Sequence, residues 1–523
     1  MFYNIDKLVL VVLILAVVVL LVDIVLVIYI FHRRLSRNRF FQRKDATRRQ
    51  LSSTVRNFLA GDIGVDEATE ALRSAKSPPA REAVQDMLLD GIGSNNRRAV
   101  TEVLMRLGLV AIWAKEAFGA RRARQLINHV ANGASLPPQG KKSFQGIRSM
   151  RLFCVKRARS VALLGQLDGD YAQAFMDEAQ HDPSPYVGRA NVAAMGQNRE
   201  SFAVSVLLEL LRQAAEGVNG LSVLSVKTAL VRYPLTELAQ FTHCLSDPNE
   251  KFRYLVVDSI REICDNTNLT LSTQDFPPDL YRWFLDQAKH DSSVDVRARS
   301  ARVIRHFHDT GAVLGLRTLM QDDNEFVRLH AVRSCADPYY TDLVPDVVQR
   351  IGDAKWRVRE AAVKTLSTFG IEGRTQLANY FLSTPDQYAS EQIVDEMQRG
   401  GIIGDLLPGL GSDGPESWVV MKVCSKMVRM GKTSLLTELL SREIRMSRLG
   451  DAPSAAQIAA METAQKARTQ LLDVLAMSPT PQLMETVQSL ARRDRDHLKG
   501  KAQTILQSGI EANKSTAVET GGA

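Results

Sequence analysis

Three His-Asp pairs are the first candidates for chemistry in this chain: His181/Asp182, His290/Asp291 and His308/Asp309. An imidazole beside a carboxylate can hold a divalent cation, as in phosphohydrolases, but only where further ligands converge with suitable geometry. Two of the three pairs contain an aspartate that recurs at fixed spacing, and the residues before Asp247, Asp322 and Asp353 are Ser, Gln and Gly. These histidines are therefore read as chance neighbours of a repeated turn. The MGKTS segment at 430–434 has the lysine-bearing end of a phosphate-binding loop, yet Lys426 stands where its first glycine should be. Its flanks read as helices instead of strand then helix, so no phosphate cradle is expected and Lys432 is a surface charge. Cys154, Cys244, Cys264, Cys335 and Cys424 are far apart, without a Cys-x-x-Cys pair, which fits reduced thiols in a cytosolic domain. No Gly-x-Ser-x-Gly elbow, zinc spacing or dinucleotide fingerprint occurs. The expectation is no catalytic, metal or cofactor site, and a protein that is not an enzyme. Trp113, Trp283, Trp356 and Trp418 are read as packing or repeat-edge residues.

The elements that carry these residues form a repeat. An Asp, four residues, an apolar residue and an Arg occur at Asp247/Phe252/Arg253, Asp291/Val296/Arg297, Asp322/Val327/Arg328 and Asp353/Val358/Arg359. Apolar or small side chains follow each Arg three, four and seven positions on, one face of a helix, so the Asp precedes a helix and is expected to cap it. Weaker copies open at Val155/Lys156, Asp182/Val187, Leu221–Val226, Tyr388/Ile393, Asp413/Trp418, Ala467/Arg468 and Leu498/Lys499. Second helical stretches such as AVLGLRTLM and LVPDVVQRI lie between them, which makes each unit a helical hairpin. Two intervals are longer, around residues 263–279 and 441–466, and are read as insertions.

This pattern resembles the HEAT repeat family, particularly its short HEAT-like type. The resemblance implies a right-handed α-solenoid in which Asp247, Asp291, Asp322 and Asp353 form a ladder with Arg253, Arg297, Arg328 and Arg359 of neighbouring repeats. Gly188 and Ser222 replace the arginine in two copies and break it. The iron hydroxylases of HEAT-like type depend on His-Glu pairs, and none occurs here. The physical account is independent of the name: hairpins with two apolar faces bury them by stacking.

Leu8 to Phe31 reads LVLVVLILAVVVLLVDIVLVIYIF, 24 residues with one charge, a helix of roughly 36 Å that predicts a single transmembrane anchor. Asp23 within it is read as an intramembrane contact to another membrane protein, or to a second copy of this chain. The next segment carries Arg33, Arg34, Arg37, Arg39, Arg43, Lys44, Arg48 and Arg49 against Asp45 alone. This basic collar predicts a cytoplasmic C-terminal side and contact with anionic phospholipid.

The expected organisation is all-α: an anchor at 1–31, a basic segment at 32–50, a helical cap at 51–140, the solenoid at 141–508 and a flexible tail at 509–523. The net charge of +8 belongs to the membrane-proximal third, where residues 32–159 hold 26 Lys or Arg against 10 Asp or Glu. Nucleic acid is accordingly the weaker reading of this charge. With 45% apolar and 24% charged residues, disorder, collagen and disulfide scaffolds are excluded. Anchor, collar and array together look like the bacterial membrane-anchored HEAT proteins that accompany processive glycosyltransferases of exopolysaccharide systems. That resemblance implies an inner-membrane scaffold, its N-terminus outside, holding a multi-span membrane protein or its cytosolic domain. A membrane-linked nucleic-acid binder and a HEAT-like lyase or glycosylase are the alternatives.

Overall fold

The computed structural model describes residues 2–93, 95–132, 154–267, 276–442, 455–493 and 496–507. In the first helix side chains are described at Leu15 and from Val17 onward. The expected tail, the centres of both insertions and the start of the expected solenoid lie outside the described residues. What is described is all-α, without a strand. It divides into two compact units, Met1–Cys244 and Leu245–Ala523.

In the first unit, α1 (Phe2–Ala60) runs unbroken through both the expected anchor and the basic segment. Leu51, Val55 and Phe58 near its end join a buried cluster with Val84 and Leu88 of α3 (Pro78–Asp90). Between them lies α2 (Val65–Leu72), and α4 (Arg97–Arg106), α5 (Leu109–Phe118) and α6 (Ala120–Asn132) follow. Hairpins then succeed one another: α7 (Cys154–Leu164) with α8 (Gly169–Gln180), and α9 (Pro185–Asn198) with α10 (Phe202–Glu216) and α11 (Val223–Leu230). Helices α5, α7, α9 and α11 form one layer. The approach of α9 to α11 is close enough that a Cβ at Gly196 would lie 2.8 Å from the Ala229 Cα.

The expected single-pass placement in an inner membrane is overturned. Among the described residues no helix is long and apolar enough to cross a membrane. The described apolar side chains, Leu15 and Val17–Phe31, are exposed. The side chains of residues 8–14 and 16 lie outside the described residues. The intramembrane contact expected at Asp23 rested on that placement, and Asp23 itself is exposed on α1. The collar also differs from the lipid-facing expectation: Lys44 turns inward to Glu82 at 3.1 Å and Asp86 at 2.5 Å, and Arg48 faces Asp90 at 3.5 Å. Acidic residues of α3 thus meet two of the eight cations. Arg33, Arg34, Arg37, Arg39, Arg43 and Arg49 are exposed along α1.

The second unit opens with α12 (Glu250–Thr267) and the short α13 (Pro278–Arg282), followed by a wider helical turn at Trp283–Gln287. Then come α14 (Val294–Ile304), α15 (Thr310–Leu319), α16 (Glu325–Ser334), α17 (Val344–Gln349), α18 (Trp356–Thr368), α19 (Gly370–Ser383) and α20 (Gln387–Arg399). The last are α21 (Ile402–Leu410), α22 (Pro415–Arg429), α23 (Ser434–Ser441), α24 (Ala455–Ala476) and α25 (Pro481–Arg492). Proline opens α13, α22 and α25, where its missing N–H costs nothing and its fixed φ suits the first turn.

Helices α12, α14, α16, α18 and α20 lie side by side in one layer; α15, α17 and α19 return behind them. The repeated positions explain the stacking. Val296, Val327 and Val358 are each fully buried, as are Ser300, Ala331 and Ala362, and Ile304, Cys335 and Leu366. Small side chains in the middle row let neighbouring helices approach, and the branched rows fill the space on either side. The first insertion ends inside the core: Phe276 is buried, with its ring 4.8 Å from that of Phe307 and 6.3 Å from that of Phe284.

Candidate binding surface

The repeated aspartate sets the geometry of the layer, but not as a direct helix cap. One carboxylate oxygen of Asp291, Asp322 and Asp353 accepts from the backbone N–H two residues on, at Ser293 (2.8 Å), Asn324 (2.8 Å) and Lys355 (2.9 Å). This turn delivers the chain to the N-cap, which is Ser293, Asn324 or Lys355 itself. Asn324 in turn accepts from the Phe326 N–H at 2.9 Å. Asp247 makes the same turn to the Asn249 N–H.

Each ladder arginine braces its own turn, and all but Arg359 also tie two repeats together. Its NH1 donates to the carbonyl of its own aspartate: Arg253 to Asp247, Arg297 to Asp291 and Arg328 to Asp322 at 2.8 Å, and Arg359 to Asp353 at 2.9 Å. Its Nε and NH2 grip the next repeat's carboxylate, Arg253 on Asp291 (2.9 and 2.7 Å), Arg297 on Asp322 (2.8 and 3.1 Å) and Arg328 on Asp353 (2.8 and 2.9 Å). Such paired, charge-assisted bonds fix both distance and orientation between repeats. The carboxylates hold the guanidinium groups of Arg253, Arg297 and Arg328 above their ordinary pKa. Burial alone would raise Asp322 and Asp353, but the Arg297 and Arg328 hydrogen bonds outweigh it and keep both carboxyls below the usual range.

The ladder differs from the expectation at its ends. Arg359 finds no carboxylate: Thr384 stands at the interval of 25 residues that separates Arg297 from Asp322 and Arg328 from Asp353, and the Arg359 Nε is buried without a hydrogen-bond partner. Upstream the true member is Arg157, buried and paired with Asp182, whereas Val155 of the expected register is 73% exposed. Downstream, Arg468 pairs with Asp496 at 3.1 Å. The 25-residue interval from arginine to aspartate was the signal for Arg157, and it was hidden by aligning on the apolar residue one position away.

With the turns in register, the same face of each helix emerges from the layer. On α16 it carries Phe326, His330 and Arg333, at i, i+4 and i+7. The matching residues on α14 include Arg299 and Arg302, and on α18 Arg357 and Lys364, with Trp356 one position before. At the N-terminal edge Phe326, Trp356 and Tyr388 are 46%, 56% and 77% exposed. Trp113 and Trp283 are buried instead. The Gln392 side chain donates to the Trp356 carbonyl at 3.3 Å and Lys355 pairs with Glu325 at 3.3 Å, which places the three helix starts beside one another.

His330 reports the field of this face. Burial, and then the charges of Arg299, Arg302 and Arg333, push its imidazole down to about 4. A folded-state pKa below the ordinary 6.5 means that the unfolded chain takes up the proton first. Stability is therefore full above about pH 6.5 and declines as pH falls towards 4, by up to about 3 kcal/mol from this group. Urea unfolding between pH 7 and 4 should show a smaller loss for His330→Gln than for the parent chain; equal losses would contradict this account.

The His-Asp pairs are occupied structurally. Asp182 and Asp291 serve the ladder, Asp309 accepts from the Ala312 N–H that opens α15 and from the Tyr281 hydroxyl, and His308 stacks on Tyr339. Among the described residues no group of three His, Cys, Asp or Glu is placed to hold a metal ion. Lys432 lies in the turn between α22 and α23 and pairs with Asp395 at 3.1 Å.

Residues 281–366 match the family model described as HEAT repeats, and this stretch of the chain, from the end of α13 through most of α18, is a HEAT-repeat array. A comparison with curated proteins finds no match. Among solved structures, an engineered protein is similar at 15% identity over 76% of this chain and 98% of its own, with a TM-score of 0.29. Kap95p, in a structure with RanGDP, is 12% identical over 87% of this chain and 65% of its own, with a TM-score of 0.31. Kap121p bound to RanGTP is 11% identical over 84% of this chain and 60% of its own, with a TM-score of 0.37. The chain thus spans less than two thirds of the length of either Kap protein.

Proposed function

We propose that this chain is a protein-binding scaffold and that the outward face of α14, α16, α18 and α20 is its docking surface. The observation that carries the reading is the row of Phe326, Trp356 and Tyr388, three large side chains left in water at successive helix starts. Neighbouring helices in such a layer lie about 8–10 Å apart, so the row extends over roughly 20 Å. Clustered exposed aromatics beside guanidinium groups are the composition of interface hot spots, because they bury much area at little cost in side-chain entropy. Arg357 already sits over the Trp356 ring at 5.6 Å, leaving the other ring face for a partner. The accessory role in exopolysaccharide synthesis drew on the N-terminal anchor and is left behind with it.

The test is affinity purification of the full chain beside a Trp356→Ala/Tyr388→Ala variant, with quantitative identification of bound proteins. The variant should keep its unfolding midpoint, since both side chains are exposed, and should lose at least one partner by more than about tenfold. Identical recovery of every partner would sink the reading.

A further inference from the structure

Beside the aromatic row, the middle of the same face is crowded with guanidinium groups that share too few carboxylates. Arg299 reaches Asp258 at 3.1 Å and the Tyr254 hydroxyl at 2.8 Å. Arg261 also takes Asp258, at 2.9 Å, and reaches the half-exposed Glu262 at 3.5 Å. Asp265 is divided among Arg261, Arg305 at 3.4 Å, the His306 Nε2 at 2.9 Å and Arg302 at 3.9 Å. The contact of Arg302 is too long for a hydrogen bond, so its guanidinium is attracted to Asp265 but not satisfied by it. Arg302 is held below its ordinary pKa first by burial and then by Arg261 and Arg299. One helix further on, Arg333 adds its charge to this field. Glu360 is already engaged by Lys364 at 2.8 Å, and Lys364, with Arg333 after it, holds its carboxyl below its ordinary pKa.

This positive field is local. Residues 160–523 taken together carry a net negative charge, since 26 of the 66 Lys and Arg but only 10 of the 58 Asp and Glu fall in residues 32–159. A concentration of arginine on one face of an otherwise acidic segment opposes folding through self-repulsion, and it is relieved when a polyanion supplies the missing carboxylates. The side chains are also placed to receive one: Arg299, Arg302 and Arg305 are 22%, 32% and 42% exposed, buried enough to be oriented and open enough to be reached. Planar guanidinium groups at Arg299 and Arg302 on α14 and at Arg305, its C-cap, suit two-pronged contacts to successive carboxylates.

We infer that the guanidinium field of Arg299, Arg302, Arg305 and Arg333 binds an acidic, extended segment of a partner protein, whose apolar side chains lie along Phe326 and Trp356. This inference rests on the scaffold reading and names the chemistry of what is held. The aromatic row selects protein over a bare polyanion, because it presents about 20 Å of apolar edge continuous with the charged field.

The experiment uses the purified full chain and fluorescein-labelled deca-glutamate, with a neutral Gly-Ser decapeptide and a single-stranded oligothymidylate of ten nucleotides for comparison. Fluorescence anisotropy should show binding of deca-glutamate that weakens steeply with salt, and an affinity about tenfold lower for Arg302→Gln/Arg333→Gln. Neither residue belongs to the ladder, and an unchanged far-ultraviolet spectrum and unfolding midpoint would confirm that the variant is folded. Arg305→Gln, at the C-cap of α14 and more exposed than Arg299 or Arg302, provides a second variant with a weaker effect expected. Deca-glutamate binding no tighter than the neutral peptide, or binding unaffected in both variants, overturns the inference. Oligothymidylate bound as tightly as deca-glutamate also overturns it, in favour of a nucleic-acid surface. If the arginine variants keep the partners that Trp356→Ala/Tyr388→Ala loses, the scaffold reading survives and the acidic-segment inference alone fails.

Discussion

Replacing Arg328 with alanine should cost the folded chain up to about 3–5 kcal/mol, because the buried carboxylate of Asp353 loses its two-pronged partner and keeps only Arg350, at 3.8 Å. The Asp353 side chain is only 3% exposed and that of Arg328 13%, so this is not one of the surface pairs whose removal is barely measurable. The same substitution also frees the carbonyls of Asp322 and Asp323, which NH1 bridges at 2.8 and 2.9 Å. Urea unfolding would give the loss. Asp353→Ala should cost a comparable amount, by removing the acceptor for the Lys355 N–H as well as the charge. The double variant Arg328→Ala/Asp353→Ala should cost clearly less than the two single losses together, with a coupling of up to about 3 kcal/mol. Additive losses would show that the ladder contributes nothing as a pair.

The pH dependence of this pair has a definite sign. The folded-state carboxyl of Asp353 is held below its unfolded value. Its contribution is therefore complete above about pH 4 and is lost as pH falls through the depressed value. The penalty of Arg328→Ala should shrink in that acid range, where Asp353 becomes neutral and needs no partner.

Phe307→Ala carries the second large effect, also about 3–5 kcal/mol. The ring is fully buried and meets Phe276 at 4.8 Å, Tyr281 at 5.1 Å and Phe284 at 6.5 Å. Its backbone carbonyl accepts from the buried Tyr340 hydroxyl at 2.7 Å, so the site joins three successive hairpins and cannot collapse by moving one side chain. Phe307→Leu should retain more than half of the stability lost in the alanine variant, because much of the volume remains. The unfolding midpoints of the two variants decide the matter; equal losses would point to a specific aromatic requirement instead of volume.

The hairpins from Asp247 to Leu366 could be read from the chain because their signals are local and repeat. An Asx turn, a valine five residues on and an arginine six residues on lie within two helical turns, and the 31-residue period sets which neighbour each arginine meets. Arg297 and Arg328 needed no more than that, and Arg253 meets Asp291 38 residues on only because the first insertion lies between them. The same reasoning failed at Arg157, where the apolar marker is displaced by one residue, and at Arg359, where it supplied an arginine but no carboxylate.

The basic segment shows the other limit. Composition alone could not reveal that Lys44 faces Glu82 and Asp86, because those acidic residues belong to another helix and only packing of α1 on α3 brings them together. Nor does a hydropathy pattern report where a helix stops: α1 passes through Phe31 without a break and ends in the core at Phe58. The arginine field has the same character. Arg261, Arg299, Arg302 and Arg333 are scattered over some seventy residues and look like ordinary solvated charges until α12, α14 and α16 align.

The amino-acid sequence by itself determined the helical hairpin, its period and the residues that lock one repeat to the next, since each depends on contacts within a few turns or exactly one repeat away. The tertiary structure alone decided which faces of those hairpins remain in water and which charges lack enough partners. Those properties belong to surfaces assembled from several repeats, and no single segment of the chain contains them.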